Sequence, residues 1–187
     1  MSGKSYAQRD YKNQRPADQY HTPFSLVWEL LKYETFINCA DPAYGNGAIV
    51  KAAEDKINFI YKGDIATGQN FLDLKQWNGD IFTNPPFSLW DEFIKHAKKL
   101  EVEKFCFLGK TNFLGCVGRY ENSIWNNLRK VYIFNRYVDY RTPYREDGLF
   151  HVGVLCTGWF VWDREYLGKP VIEILNVQKY AKLGNLK

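Results

Sequence analysis

No stretch of this sequence is apolar for long enough to cross a bilayer, which takes about 20 residues. The greasiest segment, Phe150 to Trp162, is broken by His151, Gly153, Thr157 and Gly158. The opening residues, Met1-Ser2-Gly3-Lys4-Ser5, lack the apolar core of a secretory signal. Cysteine is sparse: Cys39, Cys106, Cys116 and Cys156 are scattered, with no CxxC spacing. A chain of 187 residues does not need disulfides, so these read as reduced thiols in a cytoplasmic protein. The histidines His21, His96 and His151 form no pair at ligand spacing, so no metal site is expected. Internal repeats, low-complexity tracts and interdomain linkers are missing as well.

The residues that are plentiful point the other way. An apolar content of 45% with 25% charged residues suits a folded core and excludes a disordered or collagen-like chain. The 25 basic and 21 acidic residues leave a net charge of +4, which permits nucleic acid as a partner without demanding it. Aromatics make up 17%, and such rings serve equally as core filler and as platforms on which bases stack.

Residues 1–19 are polar, show no apolar period and read as a flexible, mildly basic tail. From Pro23 the spacing of Phe24, Val27, Leu30 and Leu31 predicts a helix. Phe36 to Ala40 reads as a buried strand, and Ala48 to Lys56 as the next helix. Phe59 to Tyr61, Asp80 to Thr83, Phe105 to Leu108 and Val131 to Phe134 are further short strands. Helices are expected from about Leu89 to Leu100 and from Glu121 to Leu128. Gly153 to Trp162 and Val171 to Leu175 complete the strands. This alternation predicts an α/β fold with a largely parallel sheet and helices on both faces.

Three places carry chemistry. The loop Asp41-Pro42-Ala43-Tyr44-Gly45-Asn46-Gly47 follows a strand and opens a helix, as ligand-approaching glycine loops do. It lacks the lysine–threonine pair of a phosphate cradle, and a carboxylate at Asp41 suits a cationic group such as an amino acid ammonium. A plain strand-to-helix turn is the alternative. Asp64 falls roughly 20 residues beyond Asp41, the usual place for a carboxylate that binds a ribose diol. It also reads as a surface turn within Lys62-Gly63-Asp64. Then comes Asn84-Pro85-Pro86-Phe87 at a strand's carboxyl end, where open α/β sheets bind ligands. Paired prolines stiffen the turn and remove two N–H donors, leaving carbonyls beside the Asn84 amide oxygen. Such an acceptor-rich site suits a substrate bearing an NH2 group, with Phe87 as a flat face for a heteroaromatic ring. A Pro-Pro turn that merely closes the strand is the bland reading.

Taken together, Asp41 to Gly47 and Asn84 to Phe87 resemble the motif pair of S-adenosylmethionine-dependent amino-methyltransferases. The likeness is strongest to small, phage-type DNA N6-adenine methyltransferases and covers roughly residues 20–175. Tyr20-His21-Thr22-Pro23 and the late segment around Trp159 to Trp162 resemble further elements of that family. The resemblance implies a Rossmann-like methyltransferase fold with a seven-stranded sheet, in one catalytic domain over residues 20–187. It implies S-adenosylmethionine as cofactor: Asp41, Pro42, Gly45 and Gly47 around the methionine part with Tyr20 and Thr22 nearby. Asp64 would take the ribose hydroxyls and Phe71 the adenine ring. Asn70 stands where many relatives carry Asp, so its bond to the adenine amino group would lack charge assistance. Asn84, Pro85, Pro86 and Phe87 would be the catalytic residues.

The implied partner is duplex DNA, with the target adenine flipped out of the stack and resting against Phe87. Arg136, Tyr140, Arg141 and Arg145 lie in a stretch where basic and aromatic residues interleave, suited to phosphates and bases. Arg129 and Lys130 belong to the same run, and a half-buried strand with a solvated basic face explains them as well. Predicted elements use up most of the chain after Phe87, leaving no room for a separate target-recognition domain. Adenine in RNA, cytosine N4 and the side-chain amide of protein glutamine present the same planar NH2 group. A non-catalytic nucleic-acid-binding relative is the reading from a different class.

Overall fold

The apolar runs become the inner strands of one sheet. The computed structural model describes residues 20–140 and 145–177. Its helices are α1 (Phe24–Leu30), α2 (Ala48–Ala53), α3 (Trp90–Lys99) and α4 (Val117–Glu121). Its strands are β1 (Cys39–Asp41), β2 (Phe59–Lys62), β3 (Ile81–Thr83), β4 (Lys104–Lys110) and β5 (Leu128–Phe134), then β6 (Val138–Asp139), β7 (His151–Val152), β8 (Thr157–Asp163) and β9 (Val171–Leu175). Seven of them form a sheet in the order β2-β1-β3-β4-β8-β5-β9, with β6 and β7 paired separately. The architecture is the expected Rossmann-like α/β sheet.

A strand covered on both faces sends alternate side chains into different cores. Along β8, Trp159 and Val161 enter one core while Phe160 and Trp162 enter the other. The first core is capped by Leu26, Val27 and Leu30 of α1 and by Ile49 and Ala53 of α2. The second is capped by α3 through Trp90, Phe93, Ile94 and Ala97, the i, i+3, i+4, i+7 stripe of an amphipathic helix. Asp91 and Glu92 in its first turn, and Lys98 and Lys99 in its last, complement the helix dipole. Burying so many indoles requires partners for their N–H groups. Trp90 donates to the Leu108 carbonyl (2.9 Å), Trp159 to that of Leu26 (3.0 Å) and Trp162 to that of Ile124 (3.0 Å).

The sheet departs from the expected one in three ways. β8 runs antiparallel to both neighbours, β4 and β5, while the other pairings are parallel. The first strand begins at Cys39 and not at Phe36, because Asn38 adopts a left-handed φ of 46° that breaks the extended run. The helix expected over Glu121 to Leu128 is absent: α4 ends at Glu121, and Ser123 and Asn127 are left-handed at φ 54° and 63°. Carbonyls that would sustain a helix there are taken elsewhere. Lys98 Nζ collects those of Ser123 (2.8 Å), Ile124 (3.1 Å) and Asn126 (2.8 Å). No helix among the described residues is long and apolar enough to cross a membrane. The polar stretch over residues 1–19 lies outside the described residues.

Candidate active site

The parallel strands β1 and β3 end side by side, and their carboxyl ends open onto a cavity of about 850 Å³. That volume is in the range of sites for small molecules and cofactors. Four segments far apart in sequence build it: the strap Tyr20–Thr22, the glycine loop after β1, the stretch after β2 through Phe71, and the turn after β3.

The glycine loop depends on backbone freedom at Gly45 and Gly47, with φ of 52° and 75°. A β-carbon at Gly47 would also lie 2.5 Å from the Tyr44 hydroxyl, so a larger residue there would be strained in its backbone and would displace the Tyr44 side chain. Asp64 locks this loop to the next one. Its Oδ2 accepts from the Gly45 N–H and its Oδ1 from the Ala66 N–H, both at 2.8 Å. Each oxygen keeps a second lone pair for a ligand hydroxyl.

Asp41 sits deeper, only 1% exposed at the tip of β1. Thr83 Oγ1 donates to its Oδ1 at 2.6 Å. Burial pushes the carboxyl up to about 7, against the bonds from Thr83 and the Ala43 backbone, and the charge of Asp64 adds to the rise. Among the described residues no ion pair involves Asp41 or Asp64. A buried carboxylate without a cation is a place where a cationic ligand group would be held.

Asn84 has a defined orientation. Its Nδ2 donates to Thr22 Oγ1 (3.0 Å) and to the Tyr20 carbonyl (3.3 Å), a pure acceptor that fixes which end of the amide faces it. The Oδ1 is buried with no hydrogen-bond partner among the described residues. Leaving such an acceptor unsatisfied costs about 1–3 kcal/mol, the mark of a group waiting for a donor. Pro86 completes the turn by accepting from the Leu89 N–H at 2.9 Å.

All the sequence-predicted cofactor residues except Gly47 line the cavity, together with Asn84 and Pro86. Gly47, Pro85 and Phe87 are buried next to lining residues and are not themselves part of the lining. Phe87 is buried, with its ring 4.6 Å from that of Tyr20 and edge-on to Phe113. The stacking face expected of Phe87 is therefore covered, and of these two residues it is Tyr20 that lines the cavity. Phe71 is buried against Phe93 and His96. Asn70 turns on its own loop: its Oδ1 accepts from the Leu72 N–H and its Nδ2 donates to Asp73, each at 3.1 Å.

Three of the four expected nucleic-acid residues, Arg136, Tyr140 and Arg145, are among the described residues. Tyr140 is fully buried and hydrogen-bonded to Thr157 Oγ1 at 2.6 Å, so it cannot touch DNA. It is a prop: its carbonyl accepts from the His21 N–H (2.9 Å) and holds the strap over the site. Arg145 is paired with Asp147 at 2.9 Å, and Arg136 is half-buried. Arg141 lies outside the described residues. Arg129 and Lys130 are committed to Glu34 and Glu173. Sequence reasoning missed Thr83, which orients Asp41, and Asn46, whose Nδ2 meets His21 Nδ1 at 3.1 Å. Thr83 directly precedes the Asn-Pro-Pro turn, and that adjacency was the available signal.

No protein-family model matches the chain, and no curated protein matches it by sequence. Among solved structures it is similar to a predicted O-methyltransferase from Agrobacterium tumefaciens. The TM-score is 0.42 and the identity 9%, over 82% of this chain and 86% of that one. A likeness that distant carries no functional argument, and the site speaks through its own geometry.

Proposed function

We propose that the protein transfers a methyl group from S-adenosylmethionine to the exocyclic N6 of adenine in DNA. The observation that carries this reading is the Asn84 Oδ1, a buried acceptor left without a donor on a proline-stiffened turn. Its position beside an unpaired, buried Asp41 fits a cofactor with a cationic amino acid end. Asp41 would hold the ammonium, Asp64 the ribose hydroxyls through its spare lone pairs, and Phe71 with Phe93 the apolar wall for the adenine. When bound, the cofactor would supply an electrophilic methyl carbon on a sulfonium.

The remaining chemistry belongs to the chain. An exocyclic amino nitrogen is a poor nucleophile because its lone pair is delocalised into the ring. Asn84 Oδ1 and the Pro85 carbonyl would accept its two N–H bonds, shift density onto nitrogen and stabilise the positive charge that develops there. The Thr22 and Tyr20 contacts hold the amide so that no reorganisation is needed at that moment. No strong general base is required, since the methylated ammonium is acidic enough to lose its proton to water. An adenine inside a duplex has to be flipped to reach this depth, and Tyr20 offers it a flat face.

The reading is tested by incubating the protein with labelled cofactor and unmethylated duplex DNA, RNA and protein side by side. Nucleoside analysis should return N6-methyladenine from the DNA. Label found only in RNA, in cytosine or in glutamine would move the acceptor, and no label in any of them would remove the enzymatic reading.

A further inference from the structure

Lys110 closes β4 at the same end of the sheet as Asn84. Its ammonium lies 4.8 Å from the centroid of the Phe87 ring, and among the described residues it enters no ion pair. Asp91, in the first turn of α3, is paired with Arg119 Nε at 2.6 Å. Arg119 also donates to the Phe113 carbonyl (3.2 Å) and covers that ring at 4.4 Å. It thus pins the turn Thr111–Gly115 and α4 against Phe113, which itself packs on Phe87 and Trp90. The outer side of this lip is apolar without being buried: Val117 is 73% exposed and Tyr120 81%. A cation held on the catalytic turn by a ring, followed by a braced lip with an exposed aromatic, suits a strand of alternating phosphates and bases.

We propose that Lys110 binds a backbone phosphate next to the extruded nucleotide, with Tyr120 stacking on a neighbouring base of the acceptor strand. This rests on the reading of nucleic acid as acceptor. It places the grip on the lip after β4, whereas the sequence pointed to the stretch around Tyr140. The two contacts differ in their response to salt, because a phosphate contact displaces counterions and stacking does not.

The test compares wild type, Lys110→Met, Lys110→Arg and Tyr120→Ala on unmethylated duplex DNA, in methyl transfer and in DNA binding over a range of salt. Lys110→Met should raise KM for DNA severalfold and reduce the slope of log affinity against log salt by about one. Lys110→Arg should restore both. Tyr120→Ala should weaken DNA binding about tenfold with the wild-type salt slope. Calorimetric affinity for the cofactor serves as the check on folding. If wild type methylates DNA while Lys110→Met keeps the wild-type KM and slope, the assignment of Lys110 is wrong. If wild type neither binds nor methylates DNA, the acceptor reading itself has failed, and this inference with it.

Discussion

At the amino end of β4 and β5, Glu34 is buried among Arg129, Lys104 and Tyr132, whereas at the carboxyl end of β1 Asp41 is buried with only the neutral donors of Thr83 and the Ala43 backbone. Burial alone pushes both carboxyls up. Around Glu34 the bonds from Arg129 (2.6 and 2.7 Å) and Tyr132 (2.8 Å), with the charges of Arg129 and Lys104, more than offset it and hold the group below its usual range. Around Asp41 no cation among the described residues does so, and the carboxyl stays at about 7. One end of the sheet satisfies its buried charge internally, and the other leaves it for something else to satisfy. The Asn84 Oδ1 belongs to the second pattern. Where a fold of this size can complete its ion pairs and does not, the incomplete groups mark the site.

Removing each kind of group should produce opposite symptoms. Glu34→Ala leaves Arg129 with only its longer contact to Asp163 (3.7 Å), and the loss of a buried pair's partner is expected to cost about 3–5 kcal/mol, less what Asp163 and the solvent reaching the partly exposed guanidinium recover. Urea unfolding measures it, and a loss below about 1 kcal/mol would erase the contrast between the two ends. Asn84→Ala should do the reverse. Turnover should fall by about 10²–10³, the usual cost of one lost transition-state hydrogen bond, while the cofactor still binds. Stability should drop by only about 1 kcal/mol per lost bond to Tyr20 and Thr22. Equal activity would remove Asn84 from the mechanism.

The motifs were legible because their chemistry is contiguous: a glycine loop after a strand, and a donor-poor turn after another. The strand count and the placement of helices on both faces followed from short apolar runs alternating with amphipathic ones. What stayed hidden depends on residues distant in sequence. Thr157 to Trp162 reads as any inner strand, because a strand buried on both faces is uniformly apolar whichever way it runs. Tyr140 sits among basic residues and reads as a surface aromatic, yet Thr157 draws it inside. Lys98 empties the expected helix after Glu121 by taking its carbonyls, and nothing near residue 123 announces a lysine 25 residues earlier.

Acidity sharpens the comparison further. Asp41 holds its proton up to about pH 7 in the folded protein but releases it near 4 when unfolded. Between those values the folded state binds more protons, so Asp41 makes unbound protein lose stability as pH rises from about 4 to about 7. Glu34, held low, has the opposite slope: its contribution disappears as pH falls through its depressed range. A cationic cofactor end should favour ionised Asp41, so cofactor affinity should climb by up to tenfold per unit below pH 7 and level off above. Asp41→Asn should flatten that profile and weaken binding at least tenfold at pH 8, with no loss of stability in the unbound protein. Calorimetry at several pH values reads both, and a wild-type affinity that ignores pH would show that no cation meets this carboxylate.

The smallest expected effect tests whether position or pairing governs the contrast. Tyr140 and Thr157 lie at the same end as Asp41 but are satisfied by each other at 2.6 Å. If pairing is what separates structural from functional groups, Tyr140→Phe should behave like a mild version of the Glu34 variant despite its location. It should lose about 1–2 kcal/mol of stability, because the Thr157 hydroxyl is left buried with one partner fewer. The His21 N–H bond to residue 140 is a backbone contact that the substitution leaves in place, so the strap should hold. DNA affinity and its salt dependence should match wild type, since a fully buried ring reaches no phosphate. A tenfold loss of DNA binding at unchanged stability would instead mean that the stretch around Tyr140 opens toward the acceptor, and that burial in the unbound protein hides part of the interface.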